Sequence, residues 1–173
     1  MKKVLLLLTV LCGLSISSFA QSSNEGGKWN IGLDAGLPVG KLHNSTNFVL
    51  GASVKYEHPI ATSTFVTISA GYNRFFYNDD AKALLKAFGS DKSGEGLIPV
   101  KAGLKYYFSE GFFGEAQAGA GFSTESGGGT AFVYSPGIGY SFAGGFEAGV
   151  RYEGYSSDGR STAMTALRVG YRF

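Results

Sequence analysis

The sequence predicts an all-β fold, an eight-stranded antiparallel up-and-down transmembrane β-barrel. Three observations carry the prediction. Eight segments alternate apolar residues with polar ones or glycine at period two, the mark of strands whose two faces meet different surroundings. Their connections alternate between short and long, as they do when turns gather at one rim of a barrel and loops at the other. No stretch approaches the roughly 18 consecutive apolar residues of a spanning helix. A chain exported into a membrane would then cross it as a closed sheet, which leaves no backbone group unpaired in lipid.

Export is read from the first residues. Met1-Lys2-Lys3 precedes an apolar run over residues 4–16 and a small-residue close at Ser18-Phe19-Ala20, the form of a secretory leader cut between Ala20 and Gln21. This divides the chain into a signal peptide, residues 1–20, and one barrel domain, residues 21–173. The only cysteine, Cys12, falls in the leader, and Leu11 before it is not the small residue of a lipoprotein site. Neither a disulfide nor a lipid anchor is expected in the mature chain. Of the 15 basic residues two are Lys2 and Lys3, which leaves 13 against 13 acidic ones and gives no support to a nucleic-acid partner.

Strands are expected at residues 29–38, 48–58, 64–77, 97–108, 112–124, 131–143, 146–155 and 162–173, most of them near the roughly 9 to 11 residues that a tilted strand needs to cross hydrocarbon. Short turns at 59–63, 109–111 and 143–145 lie at one end with both termini. Longer connections at 39–47, 78–96, 125–130 and 156–161 lie at the other. Pro136 falls mid-strand, and its missing N–H predicts a bulge or bend. In the 78–96 connection Asp79 or Asp80 can cap a helix on which Ala81, Leu84, Leu85 and Phe88 share a face, with Gly89 at its end. That apolar stripe either packs across the barrel mouth or serves a partner, lipid or ligand.

The two strand faces differ. One carries Leu50, Ala52 and Val54, or Val100, Ala102 and Leu104, at mid-strand, with aromatics such as Phe48, Tyr56, Tyr106, Phe108, Phe132 and Tyr140 at the ends. The other carries Asp34, Lys55, Glu57, Lys101, Lys105, Glu115, Glu147, Arg151, Glu153, Arg168 and Arg172, interleaved with glycines. A soluble barrel of lipocalin type would turn the charges to water. A solvated face has no reason to be so rich in Gly, whereas a narrow interior must fit long charged side chains beside small ones. The charges are therefore expected inside. The 109–111 turn sets Lys105 opposite Glu115, the 143–145 turn sets Arg151 beside Gly137, and the last loop brings Arg168 opposite Glu147. Arg74 has lipid-facing parity near the long-loop end and is expected to snorkel.

The last seven residues, Leu167-Arg168-Val169-Gly170-Tyr171-Arg172-Phe173, carry alternating apolars, a glycine and a terminal aromatic. With the leader and the alternating strands, they resemble the small eight-stranded outer-membrane β-barrel family of the OmpA-barrel and OmpX kind, over essentially the whole mature chain. The resemblance implies that Leu167, Val169, Gly170, Tyr171 and Phe173 form the signal read by the outer-membrane assembly machinery. It implies location in the outer membrane of a Gram-negative bacterium, as a monomer among outer-membrane lipids and lipopolysaccharide. It says little about activity.

Chemistry is sparse. His43 and His58 fall at opposite ends of the expected barrel and cannot share a metal, so no metal or cofactor is expected. His43 with Ser45 and Asp34 is the one triad worth naming, because some barrels of this kind remodel lipids. Gly127-Gly128-Gly129 lacks the Lys-Ser/Thr and the helix of a phosphate loop. The loop acids Asp79, Asp80, Asp91, Glu95, Glu125 and Asp158 read as solvated. The expected role is non-enzymatic, structural or interactive at the cell surface or in the envelope, with an unidentified partner. Transport of small molecules, apolar ones included, is the first alternative, and an enzyme modifying lipid A the second.

Overall fold

A computed structural model describes residues 26–125, 127–157 and 159–173. The expected cleavage site, Ala20 and Gln21, and the loop residue Asp158 lie outside the described residues. Eight strands, β1 (Lys28–Val39), β2 (Thr46–Ala61), β3 (Thr64–Tyr77), β4 (Gly94–Tyr107), β5 (Phe112–Ser123), β6 (Thr130–Ser141), β7 (Phe146–Ser157) and β8 (Arg160–Arg172), pair antiparallel in chain order and close through β1 and β8 into a barrel. The closure reaches the terminal aromatic, since the Trp29 and Phe173 backbones exchange hydrogen bonds of 3.0 and 2.9 Å.

Two of the short turns tighten where glycine permits a positive φ, and the third, between β2 and β3, has Ser63 there (φ 63°). Gly111 (φ 79°) closes β4–β5, and Gly144 and Gly145 (φ 87° and 92°) close β6–β7. At the long-loop end, a 3₁₀ turn (Gly40–Asn44) follows β1, and helix α1 (Asp79–Ala87) separates β3 from β4. The cap of α1 is Asn78, whose side chain accepts from the Ala81 N–H at 2.8 Å, rather than Asp79 or Asp80, which occupy the first turn instead. Gly89 follows the helix with φ 79°. The stripe does not seal the mouth: Leu84 is 62 % and Phe88 83 % exposed, and no residue of α1 is buried.

Pro136 makes no bulge. The β6–β7 register is the same on both sides of it, from Tyr134↔Gly154 to Gly137↔Arg151, while the two intervening rungs are missing. Pro99 interrupts β3–β4 in the same way between Ala70↔Val100 and Asn73↔Leu97. A closed barrel fixes each strand from both sides, so a lost donor removes rungs without shifting the strand. Register shifts occur instead at the ends of β2, between Thr46 and Phe48 and between Pro59 and Ala61.

Burial decides which face is inside. Leu33, Leu37 and Ile138 are about two-thirds exposed, at 66, 68 and 67 %, while Glu57, Lys105 and Glu153 are 0 % exposed. The apolar face looks outward and the charged face fills the lumen, the inverse of a soluble barrel. Aromatics gather at both rims of the outer face. At the short-turn end Tyr140 meets both Phe112 and Phe142, and Tyr171 meets both Phe146 and Phe173, while Phe48 stacks on Phe76 at 4.5 Å at the other end.

Candidate functional site

The lumen is the chemically richest part of the molecule, and period two builds it. On β1 the inward residues are Asn30, Gly32, Asp34 and Gly36; on β2, Lys55 and Glu57; on β4, Lys101 and Lys105; on β7, Glu147, Arg151 and Glu153; on β8, Arg168 and Arg172. Glycines make the room. A Cβ on Gly32 would lie 2.4 Å from the Arg168 guanidinium, and one on Gly139 would lie 2.4 Å from the Phe113 ring.

The lower cluster sits toward the short turns. Lys105 Nζ lies 3.0 Å from Glu57 and 2.6 Å from Glu147, beneath the faces of Phe113 and Tyr107. Lys55 pairs with Glu57 at 2.8 Å and with Glu115 at 2.9 Å. Ser141 donates to Glu147 at 2.6 Å, and Arg172 donates to Tyr107 Oη at 2.6 Å. The turn does set Lys105 opposite Glu115 in register, but the two make no ion pair. Each side chain reaches to another strand instead, Lys105 to Glu57 and Glu147 and Glu115 to Lys55.

The middle cluster joins β1, β7 and β8. Arg168 binds Asp34 at 3.1 Å, Ser53 at 2.6 Å and Asn30 at 3.0 Å. Arg151 bridges Asp34 and Glu153, 3.2 Å from each. Glu153 also binds Lys101 and accepts from Asn73 at 2.9 Å and from Tyr155. Arg168 faces Gly149, not Glu147, whose partner across β7–β8 is Gly170. Arg151 does lie beside Gly137. Asn30, fully buried, ties the two clusters together: its amide donates to Glu147 at 2.9 Å and its carbonyl accepts from Arg168.

Above these clusters the lumen turns apolar. Val49, Phe75, Val133, Tyr155, Met164 and Ala166 form a buried plug, covered by Leu42 from the 3₁₀ turn. Its members share the parity of the charges, so the signal was present in the sequence. Asn30, Asn73, Tyr107 and Tyr155 were legible by the same parity and were overshadowed by the ionisable residues. The candidate triad is not assembled. Asp34 is buried in the lumen with Arg151 and Arg168, while His43 is exposed on the 3₁₀ turn and Ser45 Oγ donates to the Leu42 carbonyl at 3.5 Å. Among the described residues no group of three or more His, Cys, Asp or Glu could hold a metal. Arg74 faces outward between Leu50 and Gly96, as its parity requires. In the long loops, the hydrogen bond and charge of Lys92 hold the Glu125 carboxyl below the usual carboxylate range.

Comparison with known proteins gives the family. The model of the outer membrane protein beta-barrel domain matches residues 6–173. No curated protein matches the chain by sequence. Among solved structures, the attachment invasion locus protein Ail of Yersinia pestis is 18 % identical with a TM-score of 0.59, over 87 % of this chain and 100 % of Ail. The N-terminal β-barrel domain of Pseudomonas aeruginosa OprF is 16 % identical with a TM-score of 0.55, over 84 % of this chain and 97 % of that domain. The outer membrane enzyme PagL is 15 % identical with a TM-score of 0.55, over 82 % of this chain and 98 % of PagL. At these identities the likeness is one of fold. The chain belongs to the outer membrane β-barrel domain family and resides in the outer membrane of a Gram-negative bacterium.

Proposed function

We propose that this member of the outer membrane β-barrel family is a non-enzymatic, non-conducting barrel that acts through its outer end, in an envelope or cell-surface interaction. One observation carries the reading: the lumen is filled by an ion network that runs unbroken from Arg172 to Glu153 and is topped by an apolar plug. A barrel of eight strands has an interior just wide enough for side chains to fill. Six cations, Lys55, Lys101, Lys105, Arg151, Arg168 and Arg172, face five carboxylates, Asp34, Glu57, Glu115, Glu147 and Glu153, so little net charge is left to draw an ion in. The separation of Asp34 from His43 and Ser45 supports the non-enzymatic part, and the exposed loops with α1 supply the outer surface. Swelling of proteoliposomes in an isotonic small sugar tests this. Vesicles bearing the folded protein should swell no faster than empty ones; protein-dependent swelling would sink the reading in favour of transport.

A further inference from the structure

Above the apolar plug the barrel opens into a vestibule of about 770 Å³ between the long loops. That volume lies within the roughly 300–1,000 Å³ of small-molecule sites. Its floor is Leu42, Phe75, Leu97, Ala131 and Tyr155. The floor is firmly held, because Leu42, Phe75 and Tyr155 belong to the buried plug and the Phe75 and Tyr155 rings meet edge to face at 5.6 Å. Hydroxyls ring the wall, from Ser45, Ser123, Thr130 and Thr162. On one side the wall is glycine: a Cβ on Gly127 or Gly129 would meet nothing within 4 Å, while one on Gly128 would run into Ser123. Of the charges at the rim among the described residues, Glu125 is engaged by Lys92, Glu95 accepts from Tyr77 Oη at 3.3 Å, and Arg160 is exposed. Charges in water contribute little to affinity, so recognition falls to the floor and the hydroxyls.

We infer that the vestibule is a dead-end binding site for a small uncharged amphipathic molecule, an aromatic or short alkyl body carrying hydroxyl groups. The body rests on the apolar floor, where its burial supplies the affinity. The hydroxyls exchange hydrogen bonds with the ring of Ser and Thr side chains and fix its orientation. This rests on the reading of the lumen as plugged, since an open lumen would make the same surface the entrance of a channel.

Phenyl β-D-glucoside, titrated into the ¹³C-methyl-labelled protein in phospholipid nanodiscs, tests it. The Leu97 and Ala131 methyl resonances should shift saturably with a Kd of about 1 mM or tighter, while Leu104 and Val150 on the lipid face stay fixed. Glucose, which lacks the ring, should bind about tenfold more weakly or not at all, the loss expected for an unburied apolar group. Ala131→Trp fills the floor and Thr162→Val removes one hydroxyl; each should weaken binding, the first by about tenfold or more. Folding of each variant is read from the same spectrum, and the milder Thr162→Val keeps the test open if Ala131→Trp does not fold. No saturable shift in the folded parent, equal affinity for glucose, or unchanged affinity in the folded variants would overturn the inference. Proteoliposome swelling of the same preparations separates the two failures: without swelling only the vestibule site falls, and with it the plugged lumen falls as well.

Discussion

Glu153 is the acidic residue on which the middle cluster of the lumen turns. It binds Lys101, Arg151, Asn73 and Tyr155, and it is the one carboxylate paired with Lys101 among the described residues. Removing one partner of a buried pair leaves an uncompensated charge and costs about 3–5 kcal/mol. Glu153→Ala should fall in that range in urea unfolding from lipid vesicles. Glu115→Ala should cost less, because Lys55 keeps Glu57 at 2.8 Å. The Glu153→Ala/Lys101→Met double variant should recover part of the loss; a double variant as unstable as the single would show that stranding Lys101 is not the cause. The pairings themselves were not legible. Parity placed every one of these residues on the inner face, because a side chain's face follows from backbone period alone. Partner choice depends on reach across a closed lumen, and there Lys105 passes over Glu115 for Glu57 and Glu147.

At the scale of elements, strands were legible because each has different surroundings on its two faces, and their ends were less so because the pattern fades where the barrel leaves the membrane. β2 runs on to Ala61 through a register shift at Pro59, and β4 begins at Gly94, inside what reads as loop. The helix was legible by its own spacing, but not its environment: an amphipathic pattern states that a face is apolar, not what covers it. With no residue of α1 buried, the element is separable from the barrel. Replacing residues 79–92 with a short Gly-Ser link should leave the thermal unfolding of the barrel in detergent nearly unchanged, since loop closure costs vary slowly with length. A variant that unfolds where the parent remains folded would make α1 part of the folding unit. Pro136 and Pro99 teach the converse lesson. At Pro136 a missing donor was expected to give a bulge or bend, yet the register holds across the gap there and across the one at Pro99.

For the molecule as a whole, the membrane dictates an apolar exterior and the narrow lumen dictates paired charges within it. Ala102 faces outward and Ser53 inward, where its hydroxyl accepts from Arg168 at 2.6 Å. Arginine at Ala102 should lower stability in the bilayer by about 2–4 kcal/mol, the cost of a basic residue at the midplane of such barrels. Folding titrations into phospholipid vesicles measure it, and an Ala102→Arg variant as stable as the parent would mean that this face does not meet lipid. The central claim is that the barrel is closed along its axis, and single-channel recording in planar bilayers addresses it most directly. The folded parent should give no steady, protein-dependent conductance, whereas Lys105→Ala/Glu147→Ala/Arg172→Ala, which empties the lower cluster, should give at most brief openings because the apolar plug still closes the lumen above. Stable, reproducible conductance steps in the parent would contradict the account.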